Sequence, residues 1–417
     1  SLGFSSLIPE FSNNSMPDLL ATGTKLLRDG RGMVYVKASG DAFERCNRIG
    51  HPIHTELGCH SATTHPLANS PYVVVTGAFD STAHRANYST SGSNLWIVAP
   101  AGSNEDSRAG VITTDQFGEP RGYASTLPDL LNSRPSDNPH FDHTSTFQGT
   151  GAATAMVVGG IALLLEEQPE LTFREVKHVL ANTARQLEPE IHPTRIVIDA
   201  TLVNIQDGWI ENGAGYHFHN EYGFGAIDID SAIDFATTFE SGSLGLFAVS
   251  EWIEPTTNEN PQEIPDADGS GLVTTVEIDT PIAYENCDSD DAIPHCVEAN
   301  AVVLGPNNES ISLSVANVNI ESLQVRVRLD HSRPADLGLR LTSPFGTSSI
   351  VNPVFNNSLV KPTEDVVEYT FLTNAFYGEN PVGEWTLEVV DVEQANTGIL
   401  IDWYLKLYVG QHHSSTP

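Results

Sequence analysis

The feature that most constrains this chain is the stretch from Gln148 to Glu167, QGTGAATAMVVGGIALLLEE. A turn of small residues runs directly into an apolar helix-length run with two adjacent interior glycines, Gly159 and Gly160. Glycine costs about 1 kcal/mol relative to alanine inside a helix, so the pair predicts another backbone packed closely against this helix. A second amphipathic helix follows over Pro169 to Leu187. Thr172 and Glu175 have capping-box spacing at its start, and Val176, Val179, Leu180, Thr183 and Ala184 share one face.

Upstream of this pair, Pro17 to Asp29 reads as a helix ended by Gly30. Gly32 to Ala38 reads as a buried strand running into Ser39-Gly40-Asp41, and Pro71 to Phe79 as a second buried strand. Strands alternating with helices predict a parallel α/β sheet. Beyond a Gly-, Ser-, Pro- and Asn-rich shift, short alternating strands take over. They include Val325–Leu329, Leu337–Thr342, Trp385–Val390 and Ile401–Leu407, the pattern of an all-β sandwich or jelly roll. The expected boundaries are 1–245 for the α/β portion, 246–262 for a linker, 263–411 for the sandwich and 412–417 for a tail.

Several of these segments resemble the subtilisin family of serine proteases. There, a G-T-S-x-A-x-P turn opens the nucleophile helix, and L-L-L-E-x-x-P-x-L-T-x-x-x-V follows. Here Gly149, Thr150, Ala153, Leu163 to Glu166, Pro169, Leu171, Thr172 and Val176 match. The nucleophile's position holds Gly151 and that of the motif's proline holds Ala155. A glycine has no hydroxyl, so the resemblance implies that no acyl-enzyme forms at Gly151.

Ser1-Leu2-Gly3 resembles the family's substrate-pairing edge strand. Ala38, Ser39 and Gly40 resemble one wall of its primary specificity pocket. Asp41 stands at the oxyanion-hole position, where an amide would donate a hydrogen bond and a carboxylate would repel developing negative charge. Its bland alternative is an Asx-turn residue. Ile49 replaces the aspartate with which kexin-like enzymes bind basic side chains. The run Tyr88-Ser89-Thr90-Ser91-Gly92 to Ala99-Pro100 and the Tyr222-Gly223-Phe224-Gly225 turn also resemble family segments. The C-terminal sandwich resembles the P (homo B) domain of kexin-like convertases, through Asp336-Leu337, Ser343 to Thr347, Gly378 to Trp385 and Trp403-x-Leu405-x-Leu407. Gly346-Thr347-Ser348 also spells G-T-S, but no helix follows it, so it reads as a hairpin turn.

A protease of this family needs an aspartate and a histidine upstream of its serine, and neither of their segments occurs here. The resemblance therefore implies the C-terminal portion of an exported subtilisin/kexin-like endopeptidase, inactive as given. Its alternative is a secreted pseudoprotease acting as a binding or scaffold protein. The partner in either case is a polypeptide substrate or protein ligand along the Ser1–Gly3 edge, and a missing N-terminal segment of the same protein is a further candidate.

Composition adds limits. Acidic residues outnumber basic ones 54 to 20, for a net charge of −34. Such a surface repels nucleic acid and anionic membranes. No apolar run is expected to reach bilayer-spanning length. Two close cysteine pairs, Cys46 with Cys59 and Cys287 with Cys296, read as local disulfides. They place the chain in an oxidising compartment, extracellular or periplasmic. His51, His54 and His60 keep zinc open near the first pair. Asp266, Asp268 and Ser270 form a short calcium-loop pattern lacking the downstream bidentate glutamate. Calcium is thus a candidate, and no cofactor is certain. His217 and His219 read as packing or surface residues.

Overall fold

The computed structural model describes residues 15–43, 57–103, 109–118, 121–122, 138–245, 247–255, 261–279, 302–304, 310–312, 318–359 and 366–410. The α/β part opens with α1 (Ser15–Leu26), β1 (Tyr35–Ala38), β2 (Val73–Phe79) and β3 (Ile97–Pro100). These three strands form a parallel sheet in the order β1-β2-β3. The hairpin β4 (Val111–Thr114) and β5 (His143–Phe147) then leads to α2 (Thr150–Glu167) and α3 (Phe173–Thr183). Two small hairpins follow, β6 (Thr194–Ile198) with β7 (Thr201–Gln206) and β8 (Ile210–Glu211) with β9 (His217–Phe218). Helix α4 (Ile229–Thr238) closes this part.

The sheet is covered on both faces. Val36, Val74, Ile97 and Ala99 meet α2, α3 and α4 in one cluster. Val73, Val75, Leu95 and Val98 meet Leu20 of α1, Tyr35 and the Ala62–Ala68 segment in another. The capping box at α3 is formed as expected: the Glu175 amide donates to Thr172 Oγ1 at 3.2 Å, and the Thr172 amide donates to Glu175 Oε2 at 2.8 Å.

The paired glycines of α2 behave differently from the close-backbone expectation. A Cβ at Gly160 would lie 2.4 Å from Ile229 Cδ1, so the close neighbour is a side chain at the start of α4. Gly159 is exposed, with nothing within 4 Å of where its Cβ would stand. A second correction concerns length: α2 is long and apolar enough to cross a membrane by length and composition alone. Its high apolar content comes from side chains on two sides. Ala152, Ala153, Val157, Gly160, Ile161 and Leu164 are buried, whereas Met156, Val158 and Leu163 face outward.

The remaining strands build an antiparallel sandwich. They are β10 (Phe247–Val249), β11 (Gln262–Ile264), β12 (Leu272–Ile278), β13 (Val302–Leu304), β14 (Ser310–Ser312), β15 (Asn319–His331), β16 (Leu337–Thr342), β17 (Ser348–Asn352), β18 (Val367–Thr373), β19 (Gly383–Asp391) and β20 (Gly398–Gly410). One sheet runs β10-β20-β15-β18, with β11 also on β20, and the other β12-β19-β16-β17; β13 and β14 pair with each other. Alternation does the work here: Val325, Val327, Trp403, Leu405 and Leu407 from one sheet face Leu337, Leu339, Leu341, Trp385 and Leu387 from the other. Within the stretch read as a linker, β10 instead joins the sandwich, pairing Phe247–Val249 with Tyr408–Gly410. Gly346-Thr347 lies in the turn between β16 and β17, as expected.

The two parts are joined through a loop after β18. Ala375 and Tyr377 belong to the α/β core cluster. Tyr377 stands edge-on to Trp96 at 5.3 Å between ring centroids. Asn212 Nδ2 donates to the carbonyls of Ala375 and Tyr377, both at 2.9 Å. Asn374 Nδ2 donates to the Asn94 carbonyl at 2.9 Å.

Candidate functional site: the turn before α2

Two loops meet at the N-terminus of α2. The first leaves β1 through Ala38, Ser39, Gly40 and Asp41. Ala38 is the last β1 residue in register with Thr76, and the Ser39 amide donates to the Thr76 carbonyl at 2.9 Å. Gly40, at φ +117°, adopts backbone that other residues avoid. Its amide donates to Thr150 Oγ1 at 3.3 Å and its carbonyl accepts from the Thr90 amide at 2.9 Å. The second loop is Gln148-Gly149-Thr150, where Gly149 has φ +112° and serves as N-cap with no side chain of its own.

Asp41 supplies what Gly149 lacks. Its Oδ1 accepts from the Thr150 amide at 2.7 Å and from Thr150 Oγ1 at 2.8 Å. A carboxylate at a helix N-terminus satisfies an orphan amide and complements the helix dipole. The half-local Asx-turn reading is thus replaced by a long-range cap across 109 residues.

Tyr88 completes the frame, and nothing in its local sequence announced that role. Its hydroxyl accepts from the Gly149 amide at 2.8 Å and donates to the carbonyls of Ala101 and Gly102, at 2.8 and 2.9 Å. Burial pushes its pKa up to about 12, the nearby Asp41 charge adding to the rise. The Tyr-Ser-Thr-Ser-Gly run carrying it was visible in the sequence; its contact with Gly149, 61 residues on, was not.

Gly151 is exposed, and a Cβ there would meet nothing within 4 Å. The place for a side chain is therefore open, and the side chain is missing. The turn thus presents an outward-facing glycine beside the Asp41 carboxylate that caps the helix.

The other candidate residues fall elsewhere. Ser1, Leu2, Gly3, Ile49, Cys46, Cys287 and Cys296 lie outside the described residues. Cys59 is disulfide-bonded. Asp268 Oδ1 accepts from the Ser270 amide and hydroxyl at 2.8 and 2.7 Å, and Asp266 Oδ2 from the Ala395 amide at 3.1 Å. Both are engaged in loop hydrogen bonds, and among the described residues no group of three or more His, Cys, Asp or Glu gathers to hold a metal. His217 is exposed and His219 buried between Trp209 and Tyr222.

A three-stranded parallel sheet with a glycine-turn helix on one face, followed by an antiparallel sandwich, is the architecture of a subtilisin-like layer with an appended β domain. Residues 23–225 match the subtilase family and residues 320–407 match the proprotein convertase P-domain. The chain belongs to the subtilases, in the kexin-like branch that carries a P domain. It is 27% identical over 386 residues to the Aeromonas extracellular serine protease of Aeromonas sobria, covering 87% of this chain and 56% of that protein. Neuroendocrine convertase 2 of Rattus norvegicus is 25% identical over 398 residues, covering 93% of this chain and 48% of that protein. The solved complex of the Aeromonas sobria serine protease with its chaperone is similar at TM-score 0.79 and 25% identity, over 99% of this chain and 70% of that one. The chain spans about half the length of the curated relatives it matches.

Proposed function

We propose that this chain is a non-hydrolytic portion of an exported subtilisin/kexin-like serine endopeptidase, in which the remains of the catalytic turn serve structure. The observation that carries this reading is Gly151. It is exposed in the first turn of α2, with nothing within 4 Å of where its Cβ would stand, and it offers no hydroxyl from which an acyl-enzyme could form. The Asp41 carboxylate beside it is bonded to the amide and hydroxyl of Thr150 and so serves as a helix cap. The kexin-like family resemblance includes members with an aspartate at this position, so Asp41 by itself does not decide activity. The protein-ligand edge at Ser1–Gly3 and the export implied by the cysteine pairs remain parts of this proposal, supported by the extracellular relative.

Two versions follow. In one, further chain supplies the aspartate and histidine segments, which the partial coverage of the relatives favours. In the other, the chain is a pseudoprotease that binds protein ligands, which Ala155 favours, because a single lost serine would leave the motif's proline in place.

The purified chain is expected to leave casein and peptide chromogenic substrates intact and to take no label from a fluorophosphonate probe. Hydrolysis above buffer that disappears in an Asp41→Ala variant would overturn the proposal.

A further inference from the structure

His219 lies away from the α2 turn, in the tight turn that follows β9. Its amide donates to the Gly223 carbonyl at 2.9 Å, and its carbonyl accepts from the amides of Tyr222 and Gly223 at 3.1 and 2.7 Å. Three parts of the fold meet at this turn. The Phe224 amide donates to the Trp96 carbonyl at 3.0 Å and the Val98 amide to the Gly225 carbonyl at 2.9 Å, which fixes the turn along the start of β3. The Asn220 carbonyl accepts from the Gly92 amide at 2.8 Å. Across the seam to the P domain, Asn220 Nδ2 donates to the Ile350 carbonyl of β17 at 2.9 Å.

The His219 ring is 1% exposed and sits between Trp209 and Tyr222, 5.4 and 5.3 Å from their ring centroids. Its Nδ1 accepts from the Glu221 amide at 3.1 Å. A nitrogen that accepts carries no proton, so the imidazole is neutral with its hydrogen on Nε2. Nε2 is buried, and among the described residues no acceptor, the nearby Asp207 carbonyl included, reaches it in hydrogen-bond geometry. The carboxylates of Glu221, Asp207 and Glu188 favour a charge on the ring, but each already has a partner. Glu221 holds Arg85 Nε at 3.0 Å, and Asp207 holds Arg340 of β16 at 3.1 Å. Glu188 accepts from the Tyr222 hydroxyl and lies 3.3 Å from His84 Nε2. Loss of hydration outweighs their attraction and leaves the imidazole pKa below the ordinary 6.5.

We propose that His219 is an acid-operated latch, whose protonation opens the 219–223 turn and loosens the seam between the α/β part and the P domain. Charging the ring puts a second proton on Nδ1, which points at the Glu221 N–H. Two donors then face each other, and the amide loses its acceptor in a site closed to water, a costly arrangement. Swinging His219 into solvent relieves it, and the hydrogen bonds at Trp96, Gly92 and Ile350 go with the turn. The opened turn binds a proton at about pH 6.5 and the closed turn only at lower pH. Closure is therefore strongest above that value and is lost as pH falls from it toward the folded value, by at most about tenfold per pH unit for one proton. The latch is independent of the residues at α2 and of hydrolysis.

The test is hydrogen exchange on the 417-residue chain at about pH 7.5 and about pH 5.5, on either side of the free imidazole's value. Rates are corrected for the pH dependence of unstructured amides. Opening at the Gly223, Phe224 and Val98 amides should be at least about threefold more frequent at the lower pH. The sandwich amides of Val325 and Leu405 should keep their protection. His219→Asn retains a side-chain oxygen that can accept from the Glu221 amide in Asx geometry, and it has no proton to gain. In that variant, protection of the turn should no longer differ between the two pH values, whatever its level. Unchanged protection in the wild-type chain would overturn the inference without recourse to the variant. So would a loss that persists in His219→Asn. That result would assign the acid response to another group, such as His65, whose pKa burial and the Lys37 charge lower to about 4.

Discussion

The P domain and the subtilisin-like layer finish their surfaces differently. Among the described residues, fifteen large hydrophobic side chains are left exposed; twelve precede residue 245 and three, Val273, Phe345 and Val366, belong to the sandwich. The sandwich closes on itself, because two alternating sheets each turn one face inward. The three-stranded sheet has helices on both faces, and among the described residues no strand pairs with the outer edge of β1. What keeps the open layer in place is its junction with the closed one. There Arg174 on α3 donates from Nε to Glu321 of β15 at 2.9 and 3.1 Å, from Nη1 to the Gly245 carbonyl at 2.8 Å and from Nη2 to the Leu244 carbonyl at 3.0 Å. Burial alone would lower the Arg174 pKa, and the Glu321 charge and hydrogen bonds more than offset it, leaving it raised.

Breaking that junction should have the largest effect. Glu321→Ala leaves a buried guanidinium without its counter-charge, a loss of about 3–5 kcal/mol in comparable pairs. The layer before residue 245 should then melt ahead of the P domain, seen as two calorimetric transitions. A single transition shifted by a degree or less would show that the layer stands without the junction.

How far this division was legible depends on sequence distance. The α3 capping box spans three residues, so Thr172 and Glu175 disclosed it. The sandwich strands disclosed themselves by alternation, and the glycine turn before α2 by its composition. Gly159 misled because a glycine's reason to exist need not be a close neighbour; here the Cβ position is empty. The Asp41 cap, the Tyr88 frame and the Arg174–Glu321 pair join residues 109, 61 and 147 positions apart. No periodicity links them, because the first two depend on how loops meet within the α/β part and the third on how the two parts dock, and none on local backbone preference.

Lys177, near the same junction, gives a sharper and smaller test. Its Nζ donates to the Pro71 carbonyl at 2.9 Å and lies 4.0 Å from the centre of the Trp96 ring. Desolvation lowers its pKa from the ordinary 10.5 to about 8. A lysine whose folded pKa is depressed weakens the fold most below the folded value, where its charge must be carried into the interior. The penalty fades as pH rises from about 8 to 10.5, since the unfolded chain then holds a proton the folded one has released. Relative to Lys177→Met, the wild-type chain should therefore gain stability across that window, by at most about 3 kcal/mol. Denaturant midpoints at a series of pH values would show it. Parallel curves for the two proteins would mean that the ammonium reaches water and the junction is looser than drawn.

The smallest expected effect is confined to the open layer. Thr172→Ala removes the acceptor of the Glu175 amide at the start of α3, worth about 1 kcal/mol at typical N-caps. Since α3 carries Arg174 and Lys177, fraying there could reach the junction or stay local. The Glu175 side chain also accepts from the Gly242 amide, which ties the same turn to the segment after α4. The first turn therefore keeps a second anchor. The variant should lower the melting temperature by a few degrees while the layer and the P domain still unfold together, in contrast to Glu321→Ala. Separate transitions in Thr172→Ala would place the weak point at the start of α3, and the contrast between a closed sandwich and an open layer would have to be redrawn around that helix.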